Sequence, residues 1–321
     1  MVQDIPFDSP PRRGSKIDAE RGAIECFPLK FFTLCLLSWV AMLSPQPAEG
    51  AGFSEGAAEF HRELPEIQLS EPGLPLELDV QVAWGEIRVM GQDRDTVKVR
   101  ARFDGTAEHG AQDVERATAL EVSEENNRIT VRSPLREAGF WGAYLEIYVP
   151  RRTSLLAGME RGGEILAQGL VGDHEVENLN GSIELLDCGG SAVVTAANGS
   201  VTASFHQVNP DGALSMVSMN GSIDLAVPAD LDADLWVRTA NGGLETELPI
   251  ALAEADSPQL KWLEEVDSAN PDLRQKAPRL RLARLGLGGV PVYLFSANGS
   301  VLLGPVAPDK VLTSMSQRGA R

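Results

Sequence analysis

The sequence predicts an all-β protein, a single-stranded β-solenoid (β-helix) with Asn-Gly corners plus a short helical insertion. Three observations predict it. First, TAANGSVTAS at 195–204 recurs as ENLNGSIELL, VSMNGSIDLA, VRTANGGLET and FSANGSVLLG, which aligns Asn180, Asn198, Asn220, Asn241 and Asn298. Each is followed by a glycine: Gly181, Gly199, Gly221, Gly242 and Gly299. Second, apolar residues alternate on both sides of the dipeptide. Val176, Val194, Met216, Val237 and Leu294 stand four positions before the Asn, and Ile183, Val201, Ile223, Leu244 and Val301 three after it. Such period-two alternation marks a strand with one buried face. Third, like residues recur at like positions, down to the small or polar residue two before each Asn (Asn178, Ala196, Ser218, Thr239, Ser296). A meander of hairpins, with Asn-Gly as its type I′ turns, needs only alternation. A solenoid needs like to stack on like, about 4.8 Å apart in parallel ladders, so the register favours the solenoid.

Residues 1–50 are read as a leader. Phe31–Leu43 is an apolar run of 13, preceded by Lys30 and followed by a small-residue stretch with Ala48 and Gly50, the pattern of a cleaved export signal. A run of this length falls short of the roughly 20 residues of a membrane-spanning helix. The segment before it balances Arg12, Arg13, Lys16, Arg21 and Lys30 against Asp4, Asp8, Asp18, Glu20 and Glu25, whereas an ordinary signal head is basic. Residues 51–73 form a linker, 74–304 the repeat domain and 305–321 a C-terminal tail. The tail carries neither an apolar anchor nor a wall-sorting motif, so the expected location is exported: periplasmic, secreted or at the cell surface.

Within the repeat domain the Asn spacings are 18, 22 and 21 residues, then a jump of 57. Degenerate copies extend upstream, with Gly163 and Ile165 in RGGEILAQG and with Gly85, Ile87 and Val89 in AWGEIRVMG. Asn and Gly both tolerate positive φ, which is the expected reason for the corner dipeptide. Residues 106–119 read as a polar loop with a helical turn, and LEVSEENNRITVRS as a hairpin about Asn126-Asn127. The long gap holds an insertion at about 250–288. There Ser257 caps a helix with Pro258 at its first position, over SPQLKWLEEVDSA. The strand RLRLARLGL returns from it, with Arg279 and Arg281 expected towards solvent.

The opening G-x-I-x-V-x-G (GEIRVMG, GEILAQG), the lead-ins LEIYVPRRTSLLA and IDLAVPADLDADLWVRTANGGLETEL, and the ANGS and ANGG corners resemble the bacterial putative adhesin family over residues 74–304. The resemblance implies an exported protein of unknown function, akin to the heads of autotransporter adhesins and folded as a single-stranded β-helix. It transfers no catalytic residue.

Composition and motifs narrow the chemistry. With 46 acidic against 28 basic residues the net charge is -18, which argues against nucleic acid and anionic membranes and favours cationic partners. Cys26 and Cys35 lie in the leader, so Cys188 alone remains in the mature chain and no intramolecular disulfide forms. His61, His109, His174 and His206 show no metal-ligand spacing and are expected at solvated loops and edges. No metal, cofactor or catalytic site is assigned. The rival class is a carbohydrate-active enzyme, in which Asp224 and Glu245, four positions after their corner Asn, stack on neighbouring coils at about 5 Å as in a retaining glycosidase. Calcium between stacked carboxylates is a further reading, without the glycine-aspartate nonapeptide that supports it. The favoured role is non-enzymatic binding of a surface glycan or envelope protein through the faces of the solenoid. An envelope-stress protein that intercepts cationic peptides is the other alternative.

Overall fold

The computed structural model describes residues 57–106, 118–133, 142–252 and 279–306. The chain divides into two units, residues 1–54 and 55–321, and every described residue belongs to the second. The leader, the helix expected from Ser257 and His109 therefore lie outside the described residues. Among the described residues there are nineteen strands and no helix.

The strands are β1 (Ala57–Glu63), β2 (Ile67–Gln68), β3 (Leu76–Gln92), β4 (Thr96–Thr106), β5 (Glu121–Glu125), β6 (Arg128–Ser133), β7 (Gly142–Pro150), β8 (Thr153–Gln168) and β9 (Val171–Asn180). They continue as β10 (Ile183–Asn198), β11 (Val201–Val208), β12 (Leu214–Ser218), β13 (Ile223–Val227), β14 (Ala233–Thr239), β15 (Leu244–Thr246), β16 (Ile250–Leu252), β17 (Arg279–Leu285), β18 (Val290–Ser296) and β19 (Val301–Pro305).

Pairing sorts these strands into two long ladders. The incoming ladder, formed by the segments that lead into the corners, runs β6, β3, β8, β9, β10, β12, β18, β14, all parallel. The outgoing ladder runs β7, β3, β8, β10, β11, β13, β19, β15, also parallel throughout. Strands β3, β8 and β10 are long because each serves one ladder, bends, and then serves another. Ile183 pairs with Val201 in parallel, so the Asn-Gly dipeptides do not close antiparallel hairpins.

Period two explains the core. Ile87, Ile165, Ile183, Val201, Ile223 and Val301 form one inward row of the outgoing ladder, each at most 1% exposed. Val80, Ala157, Val176, Val194, Met216, Leu294 and Val237 form the matching row of the incoming ladder, equally buried. Fully burying one such side chain contributes about 1.5–3 kcal/mol, and every coil repeats the contribution at the same place.

Chain order and spatial order part company at the long gap. Val301 pairs with Ile223 on one side and Leu244 on the other, so the segment 290–305 lies between 214–227 and 233–246. The simple expectation that each turn rests on its sequence predecessor fails here. The other end does the same, since β3 lies between β6–β7 and β8 although it precedes all of them. In both places the linking segments carry antiparallel strands, β4 on β7 and β5 on β6, and β17 on β14.

The hairpin at Asn126-Asn127 is present: β5 and β6 pair antiparallel, and both Asn have positive φ, 54° and 59°. In β17, Ala283 and Leu285 are buried and register with the buried Leu235 and Ala233, and Leu282, which registers with Trp236, is buried too. The expectation that Arg279 and Arg281 face solvent falls on side chains outside the described residues.

Candidate functional site

The corners form one continuous edge, held by two devices. The first is a ladder of side-chain amides. Asn241 donates from Nδ2 to Oδ1 of Asn298 (2.7 Å), Asn298 to Asn220 (2.8 Å), Asn220 to Asn198 (2.7 Å) and Asn198 to Asn180 (2.8 Å). Asn180 ends the run by donating to the Arg161 carbonyl at 2.6 Å. An amide carries both donor and acceptor, so each rung satisfies its neighbours in the manner of stacked Asn in cross-β structure. None of these Asn has positive φ, so it is the amide that the position requires.

The second device is a column of glycines. A Cβ on Gly199 would lie 2.0 Å from the Gly181 carbonyl oxygen, one on Gly221 2.2 Å from that of Gly199, one on Gly299 2.2 Å from that of Gly221, and one on Gly242 2.0 Å from that of Gly299. Of these five corner glycines only Gly181 has positive φ, at 133°. The expected left-handed turn is therefore corrected for the rest: close approach of backbones excludes a side chain. The buried residue two before each Asn completes the edge. Asn178 donates to the Gly163 carbonyl (2.8 Å), Ser218 to that of Gly199 (2.9 Å) and Ser296 to that of Gly221 (2.9 Å). Buried carbonyls without partners cost stability, which accounts for polar residues at a buried position.

The carboxylates assigned to the enzyme reading do not stack on each other. Asp224 registers with Thr202 and Leu302, and Glu245 with Leu302. The 39%-exposed Leu302 stands between them, so their strands are about 9.6 Å apart, twice the ladder spacing. The close carboxylate pair of a retaining glycosidase is absent at this place because the segment that was written last inserts there.

The outward rows differ sharply along the stack. At β4, β6 and β7 cations are tied down. Arg102 lies 3.9 Å over the Tyr144 ring and pairs with Asp104 (2.8 Å), while Arg132 (2.8 Å) and Arg128 (3.4 Å) hold the buried Asp79. Lys98 hydrogen-bonds Glu63 at 2.6 Å and keeps that carboxyl below its ordinary pKa. From residue 162 to residue 237, by contrast, there are eleven Asp and Glu and no Lys or Arg. There Glu177 is held above the usual carboxylate range by burial and then by Glu175 beside it.

A shallow cavity of about 550 Å³ opens in this region, lined among others by Glu77, Asn127, Asp173, His174, Glu175 and Ser191. Ser191 donates to Asp173, whose backbone N–H donates to Ser154 Oγ at 3.1 Å. His174 is 2% exposed, against the solvated position expected of it. It occupies an inward row between Leu155 and Ala192. Its Nε2 lies 3.3 Å from the Gly189 carbonyl, Nδ1 has no partner, and burial lowers the pKa to about 4. The phase was available in the sequence, because His174 stands two residues before the inward Val176. Of the other described histidines, His61 is exposed and His206 sits 3.2 Å from Asp187. Cys188 is fully buried, and burial pushes its thiol up to about 12. It is an inert core residue at neutral pH. Among the described residues no three of His, Cys, Asp and Glu come together as metal ligands, and no helix is long and apolar enough to cross a membrane.

The sequence matches no family model and no curated protein. Solved structures that resemble the chain include the following two. One, from Clostridium sporogenes, is described as a putative cell adhesion protein; identity is 8%, the TM-score is 0.41, and 78% of this chain and 99% of that one are covered. The other, from Bacteroides fragilis, is described as a putative adhesin, with 10% identity, a TM-score of 0.27 and coverage of 78% and 97%. Both bear adhesin names.

Proposed function

We propose that this chain is an exported β-solenoid that acts by binding, in the manner of an adhesin, and that it recognises a surface glycan or envelope protein along its ladder faces. The observation that supports this most directly is the register: the same side-chain amide returns at successive strand spacings along one edge, from Asn180 to Asn241. A regular array of this kind suits an extended partner whose own groups repeat, because many weak contacts form together. The first fifty residues, with their short apolar run and small-residue end, support export.

A second reading is favoured by one specific feature, the stretch 162–237 without Lys or Arg. A cationic peptide or basic protein surface would be drawn to it, and that attraction would be screened by salt. The test uses the purified mature chain against a panel of surface polysaccharides and basic peptides at low and high ionic strength. Glycan binding without turnover, little affected by salt, is the expected result. Binding confined to basic peptides and lost at high salt would establish the second reading, and cleavage of a polysaccharide would overturn both.

A further inference from the structure

We propose that Asn241-Gly242 is a site of spontaneous deamidation, and that the amide ladder ranks the five Asn-Gly dipeptides of this chain in their reactivity. In an Asn-Gly sequence the glycine backbone nitrogen attacks the Asn Cγ. A C–N bond forms, the Cγ–Nδ2 bond breaks, and ammonia leaves with the proton of the glycine N–H. Water then opens the cyclic imide at either carbonyl, giving aspartate or isoaspartate. The step needs a glycine nitrogen free to attack and an amide free to rotate towards it, and the ladder controls both.

Three tiers follow from the hydrogen bonds. Asn180 is the most protected. Its amide donates to the Arg161 carbonyl and accepts from Asn198, and the Gly181 N–H is itself held at 2.8 Å by the Asn198 carbonyl. Asn198, Asn220 and Asn298 are held at both ends of the amide, each donating to one neighbour and accepting from the other. Asn241 donates to Asn298, and among the described residues no further rung donates to its Oδ1. It stands at the outer end of the ladder, because β15 pairs only with β19 among the described residues. It is followed by Gly242 and Gly243, and a Cβ on Gly243 would meet nothing within 4 Å.

The product has a structural consequence. Aspartate at this position is acceptor-only at neutral pH, so it cannot donate to the Asn298 Oδ1 that Asn241 now satisfies. Two acceptors would face each other and the outermost rung would open. The change is one-way, adds negative charge, and loosens the segment 233–246 before any other coil.

The experiment ages the full folded chain at neutral to mildly alkaline pH and maps isoaspartate and mass gain by peptide, alongside the same chain in denaturant. In the folded chain Asn241 should react roughly fivefold faster than Asn198, Asn220 and Asn298, the rate equivalent of one net hydrogen bond, with Asn180 slowest. In denaturant this ordering should vanish. Asn298→Ser, which removes the acceptor of Asn241 and the donor to Asn220, should raise the rates at both and leave Asn180 slow. The proposal is overturned if the inner three react as fast as Asn241 in the folded chain, or if the same ordering persists in denaturant. Should the variant fail to fold, the comparison of folded and denatured wild-type chain decides alone.

Discussion

The middle of the stack and its two ends are built differently from one repeat. Between residues 153 and 227 each coil rests on the one before it in sequence. Cohesion comes from inward aliphatic rows, amide rungs and the glycine column, and cations are nearly absent. At the ends chain order and spatial order differ: β3 precedes the outer β6–β7 and lies within it, and β18–β19 follows the outer β14–β15 and lies within it. A parallel ladder leaves unpaired N–H and C=O groups along its last strand, which invite pairing with another chain. The returning connections cover that edge with antiparallel strands. At the β6–β7 end both ladders are covered, by β5 and β4, and bound charges decorate the cover. At the other end, among the described residues, β17 covers only the incoming ladder and leaves β15 at the margin of the outgoing one. The stack is therefore best sealed where it begins and most open at Leu244–Thr246.

Ile183→Ala, in the middle, should cost about 2–5 kcal/mol as a fully buried truncation, whereas Leu244→Ala, half-buried at the end, should cost clearly less. Equal losses in chemical denaturation would mean that the two regions are equally packed.

The next effect is on pH, and it falls on the middle alone. In the folded chain His174 has a pKa of about 4, against an ordinary value of 6.5. Between those values the unfolded chain binds a proton that the folded chain does not. The stability is thus whole above pH 6.5 and falls as pH drops towards 4, by about 3 kcal/mol in all. His174→Leu should flatten this part of the stability profile. An unchanged slope in the variant would show that His174 is not the group responsible.

Smaller losses are expected at the edge. Gly199→Ala places a Cβ against the Gly181 carbonyl and should cost about 1–3 kcal/mol, while Gly304→Ala, with open space around it, should be near neutral by thermal melting. Asn220→Ala removes two amide rungs, about 1–2 kcal/mol, and Asn241→Ala one, roughly half as much. A reversal of that order would mean that the terminal rung is not the weaker one.

Much of this architecture was legible because stacking demands like on like. The rows Ile165–Ile183–Val201–Ile223 and Val176–Val194–Met216 can be aligned by counting from each Asn-Gly. The degenerate copy at Gly85 was found the same way and registers with Gly163 as the spacing implied. The order of the coils was not legible. Any coil of this repeat can stack on any other without spoiling a row, so nothing in the residues says that Leu302 separates Asp224 from Glu245. The reason for the corner dipeptide was also hidden. Tolerance of positive φ is a property of Asn and Gly in isolation, whereas amide rungs and backbone approach exist only between coils. His174 is legible in principle through its phase, two residues before the inward Val176, whereas the lack of metal-ligand spacing says nothing about burial.

The central claim is that the segment 290–305 lies in parallel register between 214–227 and 233–246. It is tested by cysteine pairs in the full chain with Cys26, Cys35 and Cys188 replaced by Ala, oxidised and scored for crosslinks. The Cα atoms of directly registered parallel neighbours are about 4.8 Å apart, inside the range of a disulfide, and those two strands apart, at about 9.6 Å, are outside it. The pairs Asp224→Cys with Leu302→Cys and Leu302→Cys with Glu245→Cys should each crosslink, and Asp224→Cys with Glu245→Cys should not. Crosslinks in the third and second pairs, with none in the first, would place the repeats in simple sequence order and contradict the account.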